Sequence, residues 1–201
     1  MTVVDWYERV PLVGTSLTLA PIRLEDAPDL LGALGDPAEA AEVLAHLSYH
    51  PPTDLTQARA LIQTMITDSD RIAYAIRIRA TGEFAGTTSF YEIGPSTRAV
   101  AIGHTWIGRP HWQTSINTEA KLVMLTRAFA GLGAERVVWH TDIVNLRSQR
   151  AIERLGAHRE GVLRHHRIRR DGSWRDTVQY SMLSQEWPAA RDRLSASQRT
   201  G

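Results

Sequence analysis

Residues 139–183 read WHTDIVNLRSQRAIERLGAHREGVLRHHRIRRDGSWRDTVQYSML, and the order of elements within them decides the fold. A strand ends at Asp142. The run NLRSQRAIERLGA opens on an asparagine and stops at Gly156, which are helix start and stop signals. A long basic strand, an Asp171-Gly172 turn and an alternating last strand follow. Asn145 and Ser148 lie three apart in the first helical turn, so their polar groups share one face. That face sits just past a strand end, where open α/β sheets place ligands.

Working towards the N-terminus, ERVVWHTD reads as a buried strand. A helix over about 118–131 precedes it, with Leu122, Leu125 and Phe129 at helical spacing and Val123 and Met124 widening the apolar face. Ahead of that come three strands, RIAYAIRIRA, EFAGTTSFYEI and RAVAIGHTWI, whose short turns favour an antiparallel meander. SLTLAPIRL reads as a first strand running into an acidic helix start at Glu25-Asp26-Ala27-Pro28. From there to about Ser69 the helical pattern breaks at Pro37 and at Pro51-Pro52, which predicts two short helices joined by a loop, the second capped by Thr53 or Asp54. The polar stretch AARDRLSASQRTG after Pro188 is expected to fray. The sum is an α/β (α+β) fold whose mixed, mostly antiparallel sheet has six to seven strands, with helices on both faces. One domain is expected over 1–201, its core at about 15–187 and a polar tail at 188–201.

Composition narrows the function classes. The 201 residues are 43% hydrophobic and 22% charged with net charge +1, an ordinary globular balance that gives no global pull towards nucleic acid or an anionic membrane. No cysteine is present, which removes disulfides, thiolate nucleophiles and Cys-ligated zinc. Eight histidines show no HExxH-like spacing, so no metal is expected. His165 and His166 are strand neighbours pointing to opposite faces. Alternation splits RHHRIRR likewise, Arg164, His166, Ile168 and Arg170 on one face and His165, Arg167 and Arg169 on the other, which weakens a nucleic-acid stripe. With no signal peptide or span-length apolar run, a cytoplasmic location is the default.

Two segments carry chemistry. RPHWQTSINTEAKLVML leads from a strand through a short loop into a helix, whose first amides lack internal partners and sit at the positive dipole end. That is an anion site if the loop wraps there, and a plain capped helix if Asn117 or Thr118 is the N-cap. Asn145 and Ser148 carry the same ambiguity, since asparagine is a favoured cap and serine at that position costs little. His104, two residues before Trp106 on one strand face, is a half-buried histidine or a proton acceptor in a cleft. Asp176, phased with Trp174, Val178, Tyr180 and Met182, needs an arginine partner or a place in the cleft.

Taken together, NLRSQRAIERLGA with REGVLR, DGSWRDTVQYSM and the NTEAKLVMLTRAF helix resemble the GNAT N-acyltransferase superfamily, and within it the Rim-type ribosomal-protein N-terminal acetyltransferases. The resemblance runs from about Thr15 to Trp187. It implies a direct acetyl transfer from acetyl-coenzyme A to a primary amine, a protein N-terminus or a small molecule, with no metal. The pyrophosphate loop then corresponds to Trp112, Gln113, Thr114, Ser115, Ile116 and Asn117, with main-chain donors through Thr118. The strand ending Trp106-Ile107 corresponds to the one that binds the pantetheine and offers an N–H to the reacting carbonyl. Asn145 matches the residue at the cofactor arm, and Ser148 the hydroxyl that protonates the leaving thiolate.

The loop departs from the family pattern W-G-x-G, since Gln113 and Ser115 stand where glycines are usual. A positive φ at Ser115 would cost about 1–2 kcal/mol, or roughly tenfold in affinity. Arg167 stands where some Rim-type relatives have a glutamate base, so His104, Glu160 and Asp176, in that order, are the candidates for the base. The glycine-free loop and the basic strand also leave an alternative, a GNAT-fold acyl-CoA sensor or protein- or RNA-binding module without turnover. A self-complementary homodimer is the default form of any assembly.

Overall fold

The computed structural model describes residues 4–199, with side chains to residue 196. Strands β1 (Leu12–Val13) and β2 (Leu17–Pro21) lead into helices α1 (Ala27–Leu34), α2 (Pro37–Val43) and α3 (Leu55–Thr67). The meander β3 (Arg71–Ile78), β4 (Phe84–Gly94) and β5 (Ala99–Ile107) follows, then α4 (Ile116–Thr126) with a wider turn at Arg127–Gly131. The chain ends β6 (Arg136–Asp142), α5 (Leu146–Leu155), β7 (His158–Ile168), β8 (Trp174–Leu183) and α6 (Trp187–Arg199). The eight strands form one mixed α/β sheet in the order β1-β2-β3-β4-β5-β6-β8-β7, one more than the expected maximum because the short β1 hairpin adds an edge.

Helices cover both faces of this sheet. One layer packs Val100, Ile102, Met124, Leu125 and Val178 beneath α4; the other packs Leu30, Leu34, Ile62, Met65 and Trp106 beneath α1 and α3. Short helices gain little from propensity alone, so this burial, about 1.5–3 kcal/mol per large side chain, holds them.

Three expectations need correction. Residues 25–69 form three helices rather than two, because Pro37 starts α2 instead of only ending α1. Asp36 caps it, accepting from the Ala38 and Glu39 amides at 2.8 and 2.9 Å. The segment after Pro188 is helical in α6 as far as Arg199, not frayed, Thr200 and Gly201 lying outside the described residues, since Trp187, Ala190 and Leu194 recur at helical spacing and are buried, Trp187 stacking on Phe129 at 5.6 Å. Finally, α4 starts at Ile116, ahead of the expected Thr118, because Ile116 is buried in the core and draws the first turn with it. Asp54 is the α3 cap, accepting from Gln57 N at 2.8 Å.

Among the described residues the sheet has one parallel neighbour pair, β5 with β6, and their ladder covers only Ala99–Ala101 against Arg136–Val138. Past these residues the strands splay, leaving facing main-chain edges unpaired. On its other side β5 stays bound to β4 with two bulges, one at Glu92 between Tyr91 and Gly94 and one where Thr87 pairs with Trp106 and Ser89 with Gly103, so that His104 and Thr105 together face Thr88. His104 sits at φ 49°, a left-handed conformation that marks the bulge. The extra residue reverses the alternation, so Thr105 points towards α4 while His104 and Trp106 point to the opposite face. Gly86 takes φ 153° beside it, and a Cβ there would lie 2.1 Å from the Trp106 carbonyl oxygen.

Candidate active site

The splay between β5 and β6 opens into a cavity of about 1250 Å³. One end is lined by the loop before α4 and the starts of α4 and α5; the other by the segment after α2, Tyr91 and the β7–β8 turn. Every residue named above for the cofactor or the chemistry lines it, Ser115, Ile116 and the candidate bases Glu160 and Asp176 excepted.

At the first end, α4 is left uncapped. Ser115, the N-cap residue, has φ −71° and makes no side-chain cap bond. Asn117 and Thr118, read as possible caps, lie inside the first turn, and their amides make no hydrogen bond among the described residues. The Ile116 amide reaches only the Thr114 hydroxyl, at 3.4 Å. Glu119 turns away, accepting from Ser16 N at 2.7 Å, so its charge does not compete for the open amides. The positive φ in this loop belongs to Gln113, at 62°, so the strain expected at Ser115 falls two residues earlier. Trp112 is held by its indole N–H, which donates to Ile107 O at 2.7 Å, and by Arg147 lying 3.8 Å over its ring. Because Gly108 N–H donates back to Ala85 O, strand alternation turns the Ile107 N–H towards the splay.

The α5 end is closed. Asn145 Oδ1 accepts from Ser148 N at 3.0 Å, so the asparagine is an N-cap, and Gly156 at φ 93° terminates the helix. Asn145 keeps its amide nitrogen, and Ser148 its hydroxyl, without a partner among the described residues, and both line the cavity.

The three candidate bases separate. Glu160 is bound by Arg136, Gln179 and Ser181, and the Arg136 hydrogen bond pulls its carboxyl down to about 2; it does not line the cavity. Asp176 accepts from His165 N at 2.8 Å and fills a bulge of β7, where His165 has φ 48°. That same bulge overturns the alternation read for RHHRIRR, since Arg167, Ile168, Arg169 and Arg170 all reach the cavity. His104 does line it, against the Tyr91 ring at 4.9 Å. Burial first, then the Arg71, Arg167 and Arg175 guanidinium groups, push it down to about 3, which makes it a neutral and weak base at pH 7.

Sequence reasoning missed two groups. Tyr91 OH lies 3.1 Å from His140 Nδ1, and His140 Nε2 lies 3.1 Å from Gln179 Oε1. Because Gln179 donates through Nε2 to Glu160, its oxygen faces His140, which sets His140 as the Nε2–H tautomer with Nδ1 accepting from Tyr91. Glu92 Oε2 stands 3.6 Å from the same Nδ1, placed to balance a proton there. Lys121 is the second: its ammonium is buried on the hydroxyls of Thr105 and Thr88, at 2.6 and 2.9 Å, and burial pushes it down to about 7. No pattern in the sequence marks either, because both depend on neighbours from other strands. Among the described residues no three metal-capable side chains cluster, and no helix is long and apolar enough to cross a membrane.

A splayed strand pair facing an uncapped helix end, inside a meander followed by β-α-β-β, is the architecture of the GNAT acetyltransferases. Residues 16–158 match the model of the acetyltransferase (GNAT) domain, and the chain belongs to that family, as an N-acetyltransferase. It is 30% identical over 175 residues to the uncharacterized N-acetyltransferase p20 of Bacillus licheniformis, covering 85% of this chain and 94% of that one. A GCN5-related N-acetyltransferase from Brucella melitensis superposes with a TM-score of 0.91 at 27% identity, over 98% of this chain and 88% of that one. RimJ of Mycobacterium smegmatis, solved with CoA-disulfide, shares the fold at a TM-score of 0.78 and 21% identity, over 94% of both chains.

Proposed function

We propose that this chain moves an acetyl group from acetyl-CoA to a primary amine, a protein N-terminus or a small molecule, by direct attack in a ternary complex, and that 1–201 works as one domain. The observation that carries this is the open end of α4, with the Asn117 and Thr118 amides free at the mouth of the β5–β6 splay. A diphosphate fits such an end through main-chain donors and the helix dipole, needing no glycine. Acetyl-CoA supplies the activated acetyl group; Trp112 to Thr118 and the edge of Trp106-Ile107 hold it. The Ile107 N–H, fixed before reaction, stabilises the carbonyl oxygen as it gains charge, an effect typically worth about 2.7–4 kcal/mol per donor. Asn145 positions the arm through its free amide, and Ser148 donates a proton to the departing thiolate. For the amine proton we assign the Tyr91–His140 pair in place of His104: Tyr91 oxygen accepts as its own proton passes to His140 Nδ1. His104 shapes the space beside Tyr91.

Calorimetric titration with acetyl-CoA, paired with a thiol-release screen over amines and peptide N-termini, tests the reading. Saturable binding with release of CoA thiol is the expected result. Absence of heat and of any thermal shift at millimolar acetyl-CoA overturns it, and binding without release over the whole panel would leave an acyl-CoA sensor.

A further inference from the structure

Opposite the α4 end, the cavity is lined by an arrangement that neither the diphosphate nor the chemistry of transfer explains. Arg167 and Arg175 stand directly across from one another on β7 and β8, and both line the cavity. Like charges directly opposite on a sheet destabilise it, so the pair calls for a compensating anion. The carboxylates nearby do not supply one in full. Asp142 is held by Arg169, Oδ2 to Nε at 2.6 Å and Oδ1 to Nη2 at 2.9 Å. Glu92 lies 3.5 Å from Arg167 while also facing His140. Arg175 makes no salt bridge among the described residues, and its Nε is buried without an acceptor.

A space edged by a buried, unmatched Arg175 N–H and by positive charge is built for a ligand oxygen bearing negative charge. Arg170 fixes the boundary of this end by donating to the Tyr49 and Ala45 carbonyls at 3.1 and 3.3 Å, which ties the β7–β8 turn to the segment after α2.

We infer that the acceptor is a small amine that also carries a carboxylate, held by Arg175 and Arg167. This rests on the acetyltransferase reading and narrows its substrate class. The same cations have a second consequence. They disfavour an ammonium beside them, so a carboxylate-anchored amine sheds its proton to Tyr91 more readily than it would in water. Polyamines and other multiply cationic acceptors meet repulsion without compensation.

Thiol release with wild-type protein and acetyl-CoA is measured on L-amino acids, their carboxamides, an amino-sugar phosphate and spermidine. Amino acids are expected to exceed their carboxamides by about 10- to 100-fold in kcat/KM, the value of a charge-assisted bond, with spermidine lowest. In Arg175→Gln that ratio is expected to collapse towards one, and Arg175→Lys to restore part of it. Should Arg175→Gln fold poorly by thermal melting, Arg167→Gln gives the same readout from the exposed member of the pair. Carboxamides or spermidine acetylated as well as amino acids would overturn the inference while leaving the acetyltransferase reading intact. Preference for the phosphate over every carboxylate would also overturn it. Failure of the reading itself looks different, as no acetyl-CoA binding and no thiol release with any acceptor.

Discussion

Two helix N-termini face one cavity, and the chain finishes them in opposite ways. At α5, Asn145 folds its side chain back onto the Ser148 amide and closes the end. At α4 the N-cap residue Ser115 makes no such bond, and among the described residues the Asn117 and Thr118 amides stay open. In the sequence the two look alike, each with an asparagine near the first turn. What separates them is where the helix begins. Burial of Ile116 starts α4 one residue before Asn117, which places that asparagine within the first turn instead of at the cap. An anion site is thus a helix end that tertiary packing keeps from being capped. Beneath this open end, one turn along the same face, α4 also buries Lys121 with no anionic partner among the described residues. If α4 is organised for binding and α5 for stability, substitutions on the two helices should move stability in opposite directions.

The largest effect is expected at Lys121. Burial lowers its pKa from 10.5 to about 7. The folded protein therefore binds fewer protons than the unfolded chain between about pH 7 and 10.5, and stability rises with pH across that window. The penalty is fully present below pH 7 and gone above pH 10.5. Lys121→Met should raise stability at pH 6 on the order of 3 kcal/mol, with little gain at high pH, since Thr88 and Thr105 keep their mutual bond at 2.8 Å. Denaturant unfolding at pH 6 and pH 10 measures both. Equal effects at the two values would show that the buried amine keeps its unfolded-chain pKa and stays charged in the fold.

Next is Ser115→Asp, which gives α4 the cap it lacks. A carboxylate there should satisfy open amides and complement the dipole, adding about 0.5–1 kcal/mol of stability. It also occupies the place of a diphosphate and repels one, so acetyl-CoA affinity should fall by roughly 10- to 100-fold. Calorimetry and thermal melting read the two signs together. A stabilised variant with unchanged affinity would mean the diphosphate does not sit on this helix end.

The reciprocal change, Asn145→Ala, should cost about 1 kcal/mol through the lost cap and lower the melting temperature by about 2–4 °C. Its effect on acetyl-CoA affinity should be smaller than that of Ser115→Asp. A melting point that does not move would remove α5 as the capped member of the comparison.

The same contrast shows what the sequence could carry. Element order, the meander, the Asn145 start and the Gly156 stop were legible because each depends on neighbours a few residues away. The placement of α4 and α5 at the cavity followed from that order. The acceptor end was not legible. Backbone bulges at Glu92, His104 and His165, all with positive φ, reset the alternation by which faces are assigned. Tyr91, His140, Lys121 and the Arg167–Arg175 pair become partners only across strands whose register those bulges determine. The helix α6 was legible in principle, through the spacing of Trp187, Ala190 and Leu194, but its polar majority hid three apolar anchors.

The smallest effect is expected where the loop departs most from its family, at Gln113. A non-glycine residue at φ 62° costs about 1 kcal/mol, which Gln113→Gly would relieve. Glycine also gives the unfolded chain more freedom, an opposing term of about 0.4–1 kcal/mol, so the net stability change should stay within about 0.5 kcal/mol. Affinity should change by less than about threefold, because the left-handed conformation already exists before any ligand arrives and its strain belongs to folding rather than to binding. Ser115, at φ −71°, carries no such strain, so Ser115→Gly should not tighten binding either. The missing glycines then leave affinity almost untouched, which calorimetry on Gln113→Gly can check. A tenfold gain in that variant would mean the loop must rearrange to admit the diphosphate, and the open end of α4 would be a product of binding, not of folding.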